Sequence, residues 1–266
     1  MLIDTHTHIA FPEFDADREA VITRAHAAGV QAMVLVGCDL NSTKMAVALA
    51  EQYDGLFATV GLHPHDAKWM NDSLLHLMEE MASHPKVVGI GETGLDFYYN
   101  HSTREAQQHA FTVQIRLAKK SGLPLVIHTR DAWDETFAIL EQEGMRGSDN
   151  GGVFHCFTGD QEVARKAMAF GFYVSFSGIV TFPKSLSLQE AAGVVHSDRL
   201  LIETDAPFLA PQGFRGGRNE PAYIRTTAEK LAAIRSCSFD EICNQTTHNA
   251  IRLFGLKGIT LEKGEK

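Results

Sequence analysis

Eight times along the chain, a short and almost uninterrupted apolar run is followed by a longer segment whose apolar residues recur at helical spacing. The runs Ile3–His8, Val30–Gly37, Phe57–Gly61, Val87–Gly91, Pro124–His128, Val153–Phe157, Tyr173–Phe176 and Leu200–Thr204 are expected as strands. Helices are expected over Asp15–Gly29, Ser42–Tyr53, Ser73–Ser83, Thr103–Ser121, Asp131–Glu143, Gln161–Phe170 and Leu186–Val195, with two more over Pro221–Arg235 and Phe239–Phe254. A strand apolar on both faces must be covered on both, which helices following parallel strands achieve. Eight such units in ~250 residues predict an α/β fold, a closed (β/α)8 TIM barrel with an extra C-terminal helix; an open Rossmann-like sheet is the alternative. No linker rich in Pro, Gly or Ser interrupts the alternation, so a single domain is expected over residues 1–256, followed by a loose polar tail over 257–266.

The longest apolar stretches, Met33 to Gly37 and Leu123 to Ile127, fall far short of the ~20 residues that cross a bilayer. The amino terminus lacks a basic segment followed by an apolar run, so no cleavable leader is expected and a cytoplasmic location is. Cys38, Cys156, Cys237 and Cys243 show no Cys-x-x-Cys spacing and are too few for a disulfide scaffold, which predicts reduced, structural thiols. A formal charge of −9 disfavours a broad footprint on duplex nucleic acid but permits local grip on a phosphate.

With the strands so placed, the side chains suited to metal or proton chemistry fall at their carboxyl ends: His6 and His8, His63, Glu92, His128, His155, and Glu203 with Asp205. A (β/α)8 barrel builds its active site on that face from several strand ends, so the pattern supports both the fold and a catalytic site. Imidazoles from His6, His8, His128 and His155 with carboxylates from Glu92 and Asp205 suit Zn, Mn, Fe or Mg, in number enough for two divalent cations. Glu92 is expected to bridge them, with a water between them losing its proton near neutral pH. No Ser-His-Asp spacing or phosphate-cradling loop competes, and Gly89 and Gly91 do not complete a dinucleotide fingerprint.

Taken together, the strand-end motifs resemble those of the TatD family of metal-dependent deoxyribonucleases, within the amidohydrolase-like barrels. The resemblance runs from Asp4-Thr5-His6-Thr7-His8 through Gly61-Leu62-His63-Pro64, Gly91-Glu92-Thr93-Gly94-Leu95-Asp96, His128-Thr129-Arg130-Asp131-Ala132 and His155-Cys156-Phe157-Thr158-Gly159 to Glu203-Thr204-Asp205-Ala206-Pro207 and Arg218-Asn219-Glu220-Pro221. It implies that His6, His8, Glu92 and Asp205 hold one metal while Glu92, His128 and His155 hold the second. It further implies phosphodiester hydrolysis at DNA ends, of the 3′-to-5′ exonuclease type, by a water activated between two divalent cations, with Glu92 and Asp205 as the catalytic carboxylates. An amide, ester or lactone hydrolase on the same barrel, including removal of D-amino acids from tRNA, is the alternative, and a metal-binding scaffold without turnover is a third reading. No membrane contact and no obligate protein partner are expected.

Around these ligands, His63, Arg130, Glu203 and Arg218 are candidate substrate contacts, each with a plainer role beside it. His63 could simply pack beside Pro64, Arg218 and Arg215 could fix their loop through ion pairs, and Glu203 could orient a ligand. Asp4, sharing a face with His6 and His8 by the period of two, is expected to orient a ligand histidine; Cys156, next to His155 on a strand, is expected to point into the helix layer. Phe97, Tyr98 and Tyr99 are read as core or loop packing with base stacking as the alternative, and His26, His76, His84, His101, His109, His196 and His248 as surface or capping residues.

Overall fold

The computed structural model describes residues 1–148 and 151–259. Strands β1 (Leu2–Thr7), β2 (Val30–Leu35), β3 (Leu56–Val60), β4 (Val87–Asp96), β5 (Leu125–Arg130), β6 (Gly152–Phe154), β7 (Tyr173–Phe176) and β8 (Leu200–Ile202) pair in sequence order, every pair parallel. Between them run α1 (Arg18–Ala27), α2 (Leu40–Gln52), α3 (Asp72–Ala82), α4 (Arg104–Ser121), α5 (Trp133–Gln142), α6 (Gln161–Ala169) and α7 (Leu186–Val194); α8 (Ile224–Arg235) and α9 (Phe239–Phe254) follow β8. This is a TIM barrel; a strand order that never doubles back rules out the open Rossmann-like sheet. Because β8 is only three residues long, its seam with β1 is sewn beyond its own end: Asp205 N donates to His6 O at 2.9 Å and His8 N to Ala206 O at 2.7 Å.

Alternation along the strands splits the core into two layers. Leu2, Met33, Leu35, Leu56 and Ile127 face the helices in one cluster, while Ile3, Ala32, Val34, Phe57, Val88, Val126, Val153 and Leu201 form another that also holds Leu253 and Phe254 of α9. The extra helix therefore stoppers the barrel at the amino-terminal ends of the strands, and each such fully buried side chain contributes about 1.5–3 kcal/mol. Ile259 packs against the same cluster, so the first residues of the expected tail belong to the barrel floor; 260–266 lie outside the described residues. Helix starts follow local chemistry: Asp39 and Ser238 each complete a capping box, and Thr103 caps α4.

Five strands end two or more residues away from their expected bounds at the carboxyl-terminal mouth. β4 continues five residues past Gly91 to Asp96 and β5 two past His128 to Arg130, while β2 stops at Leu35, β6 before His155 and β8 before Glu203. Among the described residues no helix is long and apolar enough to cross a membrane.

Candidate metal centre

The barrel brings His6, His8, Glu92, His128, His155 and Asp205 to one mouth, with Glu92 at the middle. Its Oε2 lies 3.4 Å from His6 Nε2 and 3.8 Å from His8 Nε2. Asp205 Oδ1 completes this side at 3.6 Å from His6 Nε2 and 3.2 Å from His8 Nε2, and the two Nε2 atoms are 3.2 Å apart. Donors about 2.1 Å from one cation at tetrahedral corners would sit roughly 3.4 Å from each other, so these spacings match the edges of a coordination shell. The other oxygen, Oε1, faces His155 Nε2 at 2.9 Å, His128 Nδ1 at 3.1 Å and His63 Nε2 at 3.3 Å. Neither ring nitrogen of His155 has a well-aligned hydrogen-bond partner despite full burial, which is the condition of a side chain shaped to share its lone pair with something else.

Electrostatics favour the ligand forms. Burial alone would push the Glu92 carboxyl up, but the facing His155, His63 and His128 hold it well below the ordinary carboxylate range, so it is ionised. Burial lowers His6, and lowers His63 to about 4, leaving both neutral with lone pairs free. Burial also works against protonated His128 and His155, yet the carboxylates of Asp96 and Glu92, and of Glu92 and Glu203, raise them. Asp205 is lowered by His8 in spite of its burial. Six of the site's groups are thus arranged so that displacing protons by cations relieves close donor–donor contacts, and the residues fit divalent metal.

Several neighbours carry no chemistry that strand-end pattern alone would reveal. Asp96 accepts at Oδ2 from both His128 Nε2 and His65 Nε2 at 3.1 Å, fixing the ring whose other nitrogen faces Glu92. Helix α4 props two strand ends: Gln114 bonds Leu62 N and O at 2.8 and 3.0 Å, and Gln107, two turns earlier on the same face, bonds Asp96 N and O at 2.8 and 3.0 Å. Polar residues at core-facing helix positions were the available signal for both. Cys38, after β2, donates to Glu92 Oε2 at 3.4 Å; burial and that carboxylate keep its thiol protonated. His101, exposed as expected, also stacks on Tyr99 and meets His65 at 4.6 Å between ring centroids.

Other expectations change for identifiable reasons. Asp4 touches neither imidazole ring: its carboxylate takes Thr204 N and Oγ1 and His6 N, because the register of β1 shifts between Asp4 and Thr7 and strict alternation ends there. Cys156 does not continue a strand into the helix layer; with φ of 41° it turns at the mouth, its N–H donating to Glu203 Oε1 and its Sγ 3.5 Å from Ser177 Oγ. Glu203, just beyond the end of β8, sits 3.4 Å from His155 Nδ1, in keeping with its plainer expected role of orienting a neighbouring side chain. Arg218 pairs with Asp17, at 2.7 and 2.8 Å, and with Glu13 O, with Arg24 and Glu220 extending the network, so it fixes the loop after β8, the plainer of its two expected roles.

A family model described as "TatD related DNase" matches residues 3–255. The chain belongs to the TatD family. The TatD relatives it is similar to include the "Uncharacterized metal-dependent hydrolase YabD" of Bacillus subtilis, 45% identical over 254 residues covering 96% of this chain and 99% of that protein. The "3'-5' ssDNA/RNA exonuclease TatD" of Cronobacter turicensis is 39% identical over 258 residues, covering 95% and 97%. Among solved structures, YjjV, a TatD homolog from Escherichia coli K12, superposes with a TM-score of 0.90 at 31% identity, covering 96% of this chain and 98% of that one. As a TatD protein the chain is a metal-dependent hydrolase.

Proposed function

We propose that this TatD protein is a two-cation phosphodiesterase that removes nucleotides from the ends of single-stranded DNA in the 3′-to-5′ direction. The observation that carries the reading is the division of labour within Glu92, whose two oxygens face two separate sets of nitrogen and oxygen donors. His6, His8, Glu92 and Asp205 would hold one cation, and Glu92, His128 and His155 the other, with His63 as a further nitrogen beside the second. Divalent cations there would offset charge building on phosphoryl oxygens and acidify the attacking water. Asp205, ionised and at the rim of the first set, accepts the proton that the water sheds. His63 and Arg130 face the mouth as contacts for the phosphate, Glu203 steadies His155, and Asp96 steadies His128. Net acidity fits a substrate gripped at its end rather than along a duplex. The Cronobacter relative, named a single-stranded DNA/RNA exonuclease, supports the same substrate class.

The test is a substrate panel, single-stranded DNA and RNA beside ester, lactone and D-aminoacyl-tRNA substrates, compared by kcat/KM with protein whose metal content is measured. DNA ends are expected to lead, with loss of turnover in chelator and in Glu92→Ala and His128→Ala proteins that keep their circular-dichroism spectra. Turnover surviving verified metal removal, or an acyl substrate leading the panel, overturns the proposal.

A further inference from the structure

The turn after β4 carries two tyrosines that contribute little to any core: Tyr98 is 57% exposed and Tyr99 51%, whereas Phe97 before them is buried. They do not stand alone. Ring contacts run without a break from solvent to the ligands, Tyr98 to Tyr99 at 4.8 Å, Tyr99 to His65 at 5.5 Å, His65 to His63 at 4.3 Å and His63 to His128 at 4.8 Å between centroids. Above the two tyrosines lies the guanidinium of Arg130, 4.0 Å from the Tyr98 centroid and 4.9 Å from that of Tyr99. Arg130 is exposed and has no carboxylate partner among the described residues, so its charge is available to an incoming anion.

The turn is also tied to the metal centre through one side chain. Asp96 Oδ1 accepts the N–H groups of Tyr98 and Tyr99 at 3.0 and 2.9 Å, while Oδ2 takes the imidazoles of His128 and His65. One carboxylate thus ties the backbone of the tyrosine turn to the imidazole of His128. Half-exposed aromatic rings beside a cation that can swing onto an anion, with Tyr99 already continued by the stacked His101, match the chemistry of a nucleotide, whose base stacks while its phosphate meets the guanidinium.

We propose that Tyr98, Tyr99 and Arg130 form a nucleobase subsite that seats the terminal base of a single strand beside the hydrolytic centre, recognising the base by stacking without reading its identity. The subsite rests on the phosphodiesterase reading above and specifies how that site holds its substrate. Stacking of one base changes affinity by about 5- to 150-fold.

The test crosses two perturbations. Mn2+-loaded wild-type, Tyr98→Ala/Tyr99→Ala and Tyr98→Phe/Tyr99→Phe proteins are given a single-stranded oligonucleotide and its counterpart with an abasic 3′-terminal nucleotide. The dissociation constant of each oligonucleotide is also measured by fluorescence anisotropy in chelator, where no turnover occurs. Wild type should prefer the intact end by about 5- to 150-fold in KM and in dissociation constant, the alanine protein should lose that preference, and the phenylalanine protein, which keeps the ring faces, should restore it. Equal handling of both ends by wild type, or an alanine protein that still discriminates, overturns the subsite alone. A wild-type protein that cleaves neither oligonucleotide but turns over an acyl substrate removes the phosphodiesterase reading and the subsite with it.

Discussion

Replacing Gly61 with alanine tests whether the ligand spacing is enforced by backbone packing. Gly61 follows β3 where it passes β4, and a Cβ there would meet the Gly91 carbonyl carbon at 2.2 Å, Glu92 N at 2.4 Å and Gly91 O at 2.5 Å. Ordinary contact begins at 3.4 Å, so about 1.2 Å of movement is needed, and the obstructing atoms are backbone that cannot swing aside. The displaced unit carries Glu92, whose Oε2 is 3.4 Å from His6 and whose Oε1 is 2.9 Å from His155. Metal–donor distances tolerate only about 0.2 Å. Gly61→Ala should therefore lower divalent-metal affinity by roughly 10- to 100-fold, the usual consequence of disturbing a ligand's support. Overpacking should also destabilise by about 1–3 kcal/mol, at ~2–4 °C of Tm for each kcal/mol in a chain of this size. Gly193, inside α7, is the control: a Cβ there finds its nearest neighbour at 4.0 Å, and Gly193→Ala should stabilise by about 0.5–1 kcal/mol with metal affinity unchanged. Calorimetric titration with Mn2+ and thermal scans of both proteins decide the matter. A Gly61→Ala protein that titrates like wild type would refute the view that this close approach sets the geometry.

Further expectations follow from the props and surface pairs. Gln114→Leu strands the buried Leu62 N–H and carbonyl, at about 1–3 kcal/mol each, and should lower the urea midpoint; an unmoved midpoint means water replaces the amide. Asp96→Asn should weaken uptake of the second metal equivalent by about 10- to 100-fold through loss of the carboxylate on His128, and an unchanged two-step isotherm contradicts this. Asp17 is held down to about 2, first by Arg218 and then by Arg24, from an ordinary value of 3.8. A depressed carboxyl stabilises the fold above its unfolded pKa and loses that contribution as pH falls through its folded one. The gap in unfolding midpoint between wild type and Asp17→Asn should therefore be constant from pH 6 to 8 and close between about pH 4 and 2; a gap that widens on acidification rejects the assignment.

Much of this barrel could be read from the pattern of apolar runs, because a strand covered on both faces is mostly apolar: β7 runs Tyr173–Phe176 and α9 Phe239–Phe254 as expected. The misplacements gather at the ligand face. There the backbone abandons regular conformation to aim side chains, with positive φ at Cys156 and Asp205, so period-two reasoning misjudged Cys156 and Asp4. The extension of β4 was hidden by Gly91 and Gly94, residue types that commonly end a strand, yet both lie within this one. That Asp96 reaches His128 depends on this extension. The convergence of Glu92 with His6, His8, His128, His155 and Asp205 at one mouth was legible from residue type and order, whereas the grip of α4 glutamines on strand ends and the capture of Arg218 by Asp17 depend on tertiary neighbours that no local pattern encodes.

The short β8 has a temporal consequence. Since Asp205 N grips His6 O and His8 N grips Ala206 O, the strand carrying His6 and His8 stays without these partners until some two hundred further residues have been made. Ring closure and completion of the cation cradle are one event. A nascent or truncated chain lacking its last βα units would offer isolated imidazoles, and no assembled cage able to retain a metal or attack a nucleic acid ahead of schedule.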